Sequence, residues 1–206
     1  MKKRFAMFLS VCLLLSIAAP GFAAPEAPAA TSQTQALIEK IEAADAFTIT
    51  YAFSLDGVKI TDYFKDGRVA SDARGGSFPL TIRTLYTGGR GYAFLRGLPL
   101  FYLPIDPADA PTTAEITAEM REKTEGRDCT TFPLDRDGTT YTVEAFSDGD
   151  DTIGFAFADG LLRLIGFVDG GDRLDRVLVT IDGYRFSAPE IVFFPPLFDL
   201  SGLFAR

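Results

Sequence analysis

The stretch that decides the fold is residues 141–184, YTVEAFSDGDDTIGFAFADGLLRLIGFVDGGDRLDRVLVTIDGY. An Asp-Gly pair returns in it every ten to thirteen residues, at Asp148-Gly149, Asp159-Gly160, Asp169-Gly170 and Asp182-Gly183. Asp-Gly signals a tight turn, because Gly accepts positive φ without steric cost and Asp bonds its own backbone. Apolar, β-branched and aromatic runs separate the pairs, so the spacing predicts an antiparallel meander of long strands.

The same grammar extends backwards. Ala46 opens a strand of period two, with Phe47, Ile49, Tyr51, Phe53 and Leu55 on one side and Thr48, Thr50, Ala52 and Ser54 on the other. Asp56-Gly57 and Asp66-Gly67 turn the chain through VKITDYFK into residues 68–74, and short strands follow at 80–86, 92–95 and 100–103. Ahead of them Ser32, with Gln35 three residues on, forms a capping box for a helix whose apolar stripe is Leu37, Ile38, Ile41 and Ala44. Pro104, Pro107 and Pro111 break the strand pattern, and Thr112 or Thr113 caps a second helix ending at Gly126, so residues 104–128 read as a helical insertion. The tail, residues 187–206, is rich in Phe and Leu but carries Pro189, Pro195 and Pro196, which exclude a long strand or helix. Its apolar area predicts packing across the sheet, plugging of an apolar cavity, or docking on a partner.

Residues 1–23 read as a secretory signal peptide: basic Lys2, Lys3 and Arg4, an uncharged run FAMFLSVCLLLSIAA, then small residues before a cut near Ala24. Residues 24–31 are a Pro/Ala leader without large apolar groups, and 32–206 form a single β-rich domain. The expected location is therefore the periplasm, the cell envelope or the exterior. Formal charge is −8, and loss of the three basic residues makes it −11, which speaks against nucleic acid as a partner. The chain has no His, which excludes Ser-His-Asp and Cys-His nucleophile systems and imidazole metal sites. Cys129 alone remains after processing, as a buried apolar filler or an intermolecular link. Asp148, Asp150 and Asp151, and Asp169, Asp172 and Asp175, lack the spacing of an EF-hand and read as solvated turns, so no metal and no cofactor is expected. Glu144 and Asp62 are strand-borne carboxylates that nothing in the sequence pairs for acid–base work.

The later strands are apolar on both faces. Ile153, Phe155 and Phe157 oppose Gly154, Ala156 and Ala158; Leu162, Leu164, Gly166 and Val168 oppose Leu161, Arg163, Ile165 and Phe167. Strands of that kind need two covers, and small residues suit a curved wall. The fold class is therefore α+β: a strongly curved antiparallel β-meander, an incomplete barrel, with an N-terminal helix and the helical insertion packed on it. Ile49, Phe53, Phe94, Phe155, Phe157 and Leu164 are the candidate lining of an apolar cavity.

The segments ALIEKIEAADAFTITYAF (36–53), YFKDGRV and FAFADGLLRLIGF within this layout resemble the lipoprotein-carrier fold of LolA/LolB-type carriers and LppX/LprG-type lipid-binding proteins. The resemblance implies an incompletely closed antiparallel barrel with helices at its mouth, an acyl chain held in an apolar cavity, and no catalytic residues. This chain departs from the lipid-anchored members in having no lipobox Cys, and its Phe-rich tail has no counterpart. The expected function is an exported, non-enzymatic binding protein carrying a lipid or lipoprotein acyl chain. The alternative is a structural or interaction protein with a filled barrel, whose tail docks on a protein partner.

Overall fold

The computed structural model describes residues 32–54, 57–75, 78–148, 151–170 and 172–201. Residues 1–23 and 24–31, which the sequence reads as a signal peptide and a leader, lie outside the described residues, as does part of the Asp148–Asp151 turn. Helix α1 (Gln33–Glu42) is followed by β1 (Ala46–Phe53), β2 (Lys59–Lys65), β3 (Arg68–Gly75), β4 (Phe78–Thr87), β5 (Arg90–Leu95) and β6 (Phe101–Ile105). A 3-10 turn, Pro107–Asp109, leads into α2 (Thr113–Thr124). Then come β7 (Cys129–Arg136), β8 (Thr139–Asp148), β9 (Asp151–Ala158), β10 (Leu161–Asp169), β11 (Arg173–Arg185), a 3-10 turn at Glu190–Phe193 and β12 (Phe198–Asp199).

Among the described residues the strand order is β12-β6-β5-β4-β3-β2-β1-β11-β10-β9-β8-β7, with no pairing between β12 and β7. Pairing is antiparallel from β6 to β1 and from β11 to β7, while β12 joins β6 in parallel. The α+β meander with an N-terminal helix and a helical insertion is thus the fold the sequence implied. Among the described residues no helix is long and apolar enough to cross a membrane.

Two Asp-Gly turns behave as read. Asp66-Gly67 and Asp159-Gly160 both take positive φ at both positions (51° and 70°, 52° and 70°), the conformation of a two-residue type I′ hairpin. Asp182-Gly183 is different. The chain runs straight through it inside β11, and Tyr184 and Phe186 continue on to pack against Phe47, ring centroids 6.2 and 5.7 Å away. Pro104 also departs from expectation. It sits inside β6 opposite Tyr92, where its missing N–H faces away from β5.

The described residues form two compact units. The first comprises the described part of Met1–Glu42 with Ile116–Thr180. Here residues 153–158 of β9 are all buried, the two-sided burial that the apolar pattern demanded. On one side Phe132, Val143, Ala145, Ala156, Leu164 and Leu174 form a core. An added Cβ at Gly154 would lie 2.7 Å from Val168 Cγ2 and 3.0 Å from Leu174 Cδ1, so the space over this glycine is already filled by side chains. On the other side Phe146 meets Phe155 edge-to-face at 5.8 Å. The carboxylate of Glu144 on that side accepts from the backbone N–H groups of Gln33 (2.6 Å) and Thr34 (2.9 Å) and from the Thr34 hydroxyl (2.7 Å). A strand-borne anion therefore fills the N-terminus of α1, where unpaired N–H groups and the helix dipole favour negative charge. Ser32 Oγ accepts from Gln35 N at 3.0 Å, as the capping box predicts. Leu37, Ile38 and Ile41 are buried, a face contributing roughly 1.5–3 kcal/mol per side chain. Arg121 of α2 forks onto Glu42 at 2.9 and 2.7 Å.

The second unit comprises Ala43–Glu115 and Ile181–Arg206. Its core contains Tyr63, Ala70, Leu85, Tyr92 and Phe94, and the tail completes it with Val192 and Phe193. Glu190, just before them, is held by Lys65 (2.9 Å) and Arg68, and Arg68 also lies 4.8 Å over the Phe193 ring. Those hydrogen bonds, Arg68 first, lower the Glu190 pKa to about 2. The tail is thus a core element at Val192-Phe193. Beyond Pro195-Pro196 it adds β12 to the sheet edge through Phe198 N to Leu100 O (2.7 Å) and Leu200 N to Tyr102 O (2.9 Å). The next ladder bond would need an N–H on Pro104, which explains why β12 is so short.

Candidate functional site

The six cavity candidates do not share one wall. Phe155 and Phe157 point to one side of β9. Leu164 pairs with Ala156 and points to the other. The cause is a bulge at Arg163: Leu162 pairs with Phe157 but Leu164 with Ala156, so the alternation read along β10 breaks between them. All three are buried. In the second unit Phe94 lies in the core that also contains Phe193, whereas Ile49 and Phe53 are half-buried on the opposite sheet face.

That opposite face has the more distinctive chemistry. Registers place Ile49, Asp62, Ser71, Thr84, Ala93 and Leu103 in one transverse row across β1 to β6. Tyr51, Ile60, Ala73, Ile82 and Leu95 form the row beside it. By strand alternation the cations of these strands (Lys59, Lys65, Arg68, Arg74, Arg83 and Arg90) all fall on the other face. There Arg83 forks onto buried Asp72 at 2.6 and 2.7 Å, with Phe94 as its neighbour across the ladder. Asp62 is left as the one charged residue that alternation puts on its own face among the described residues of β1–β6.

Asp62 is 4% exposed. Tyr51 donates to its Oδ2 at 2.9 Å, and Ser71 donates to its Oδ1. Burial pushes its pKa up to about 6, against the lowering effect of those two hydrogen bonds, and Asp72 raises it further. The Tyr51 hydroxyl is in turn driven upward by burial and by the Asp62 charge. Beside Ser71, the Thr84 hydroxyl is buried and has no hydrogen-bond partner among the described residues. Away from Asp62 the same rows include exposed apolar side chains: Ile82 is 42% exposed and Leu103 43%. Phe198 of β12, opposite Phe101 with ring centroids 5.9 Å apart, is 56% exposed. The eleven exposed large hydrophobic side chains among the described residues all lie in this second unit.

A groove of about 300 Å³ opens at the other end of this face, floored by Phe47, Phe64 and Val69 and rimmed by Lys65, Arg68 and Thr112. Its volume is at the lower limit for small-molecule sites, and both rim cations are taken by Glu190. Glu144 and Asp62, the strand-borne carboxylates singled out in the sequence, are engaged separately, one at a helix N-terminus and one by two hydroxyls. No group of three or more Cys, Asp or Glu residues able to hold a metal occurs among the described residues. Cys129 is exposed, not the buried filler expected, because it opens strand β7 at the end of the strand order.

Sequence reasoning missed the Asp62 face, although KITDYFK and RVASDAR carry its signal. Lys59, Lys65, Arg68, Asp72 and Arg74 fall on one side, while Asp62 is the one charged residue on the other, with polar Ser71 beside it. No family model matches this chain, and no curated protein matches it. Among solved structures, an uncharacterized conserved protein from Thermus thermophilus aligns with a TM-score of 0.38 and 10% identity, over 82% of this chain and 99% of that one.

Proposed function

We propose that this chain is an exported, non-enzymatic binding protein that carries a lipid or lipoprotein acyl chain. The acyl chain lies along the Asp62 face at β4–β6, not among Phe155, Phe157 and Leu164. One observation carries the reading: Ile82, Leu103, Phe101 and Phe198 form an exposed apolar strip, and strand alternation puts the cations of β1–β6 on the opposite face. Apolar area of that kind gains about 25 cal/mol per Å² on being covered, and exposed patches of it mark binding surfaces. Native mass spectrometry of the purified protein, with organic extraction, is expected to find a co-purifying lipid. Protein that is ligand-free and takes up no fluorescent fatty alcohol contradicts the reading.

A second reading, an envelope interaction protein whose tail docks on a partner, draws on Ile191, Phe194 and Leu197, which are exposed on either side of the buried Val192-Phe193 anchor. The double variant Phe194→Ser, Leu197→Ser separates the two, since it spares both the anchor and Phe198. Loss of a protein partner with lipid uptake intact favours docking.

A further inference from the structure

We propose that the Asp62 face selects its amphiphile by charge, taking single-chain lipids with a neutral hydroxylated or cationic head and rejecting carboxylate and phosphate heads. The head bonds Thr84 Oγ1 and the acyl chain runs over Ile82, Leu95 and Leu103. This rests on the acyl-chain reading above and adds the class of ligand.

Three observations converge. First, the polar row Asp62-Ser71-Thr84 leads without a break into apolar Ala93 and Leu103, so one strip is polar at its buried end and apolar at its exposed end. A molecule of matching polarity is a single-chain amphiphile with its head inward. Second, the Thr84 hydroxyl at the junction is buried and has no partner among the described residues. Such a group is costly unless something supplies a hydrogen bond, and a ligand hydroxyl can both donate to it and accept from it. Third, the Asp62 carboxylate is bonded by two neutral hydroxyls, and the cations of these strands fall on the other face, where Arg83 is committed to Asp72. A head at Thr84 sits two strands from Asp62, about 10 Å away. At that distance an unscreened anion is repelled strongly enough to weaken binding roughly tenfold.

The test is calorimetric titration of the full chain, near neutral pH, with glycerol monodecanoate, decylamine and decanoate, which share one alkyl chain. Glycerol monodecanoate is expected to bind about tenfold, and decylamine about a hundredfold, more tightly than decanoate. Asp62→Asn is expected to erase the gap between the glycerol ester and decanoate by strengthening decanoate binding, and to weaken decylamine. Thr84→Val is expected to weaken glycerol monodecanoate several-fold while raising the melting temperature, because it removes an unsatisfied buried hydroxyl; a merely structural hydroxyl would not move both. Decanoate binding as tightly as the glycerol ester, or a gap that survives Asp62→Asn in a variant that melts cooperatively, overturns the charge selection and leaves the acyl-chain reading standing. Binding of none of the three overturns both. Self-association abolished by Ile82→Lys, with no lipid uptake, assigns the face to a second copy of the chain and also overturns the proposal.

Discussion

Replacing Asp62 by Asn should make the protein more stable at neutral pH, by an amount set by what the fold does to this carboxyl. Its pKa rises from 3.8 to about 6, chiefly through burial. The folded state therefore prefers the protonated acid. The favourable contribution is complete below the unfolded pKa and is lost as pH rises through the folded value, between about pH 4 and 6. A displacement of about two units corresponds to up to about 3 kcal/mol withheld at neutral pH. Asn is neutral throughout. Its carbonyl can accept from one of the Tyr51 and Ser71 hydroxyls, and its amide can donate to the other, so the network survives. Urea unfolding across a pH series checks this. The wild-type protein loses stability between about pH 4 and 6 on account of this group, and Asp62→Asn removes that slope and gains about 2–3 kcal/mol at neutral pH. An Asn variant of equal or lower stability at neutral pH, with the wild-type slope intact, refutes the assignment of Asp62 as a buried, uncompensated carboxylate.

Phe193→Ala should cost about 3 kcal/mol by emptying the tail's anchor in the core, whereas Phe198→Ala, exposed on β12, should cost less than about 1 kcal/mol; chemical denaturation of the two variants compares them directly. Glu144→Gln places an amide against the N–H groups of Gln33 and Thr34 and should lower stability by about 1–2 kcal/mol, with far-UV circular dichroism reporting early fraying of α1. Gly154→Val should destabilise by about 1–3 kcal/mol or more through overpacking against Val168 and Leu174, and unchanged thermal stability would mean that the first unit's interior has room the packing denies.

Much of the fold is written locally. Period-two alternation in β1, type I′ turns at Asp66-Gly67 and Asp159-Gly160, and the Ser32 cap of α1 are decided by neighbours in sequence, so the sequence exposes them. Asp182-Gly183 carries the same turn signal and fails because a turn there would pull Tyr184 and Phe186 off Phe47; tertiary packing outweighs a local preference. The bulge at Arg163 was equally hidden, since it exists only in the pairing of β10 with β9, yet it moves Leu164 to the other face from Phe157. The site was less legible for the same reason. Asp62, Ser71 and Thr84 are nine and thirteen residues apart, and only the registers of three strands make them one row. The count of Phe residues indicated a large apolar area, but which of them face solvent depends on what covers β4–β6, a property of the assembled sheet.

The central claim is that an acyl chain lies on the Asp62 face, and the most direct measurement is a glycerol monodecanoate titration of the full chain followed through the methyl resonances of Ile82, Leu95 and Leu103, beside those of Leu164 and Leu174. The account predicts saturable shifts at Ile82, Leu95 and Leu103, abolished by Ile82→Lys, with Leu164 and Leu174 unmoved. Shifts confined to Leu164 and Leu174, or no saturable shift anywhere, would contradict it.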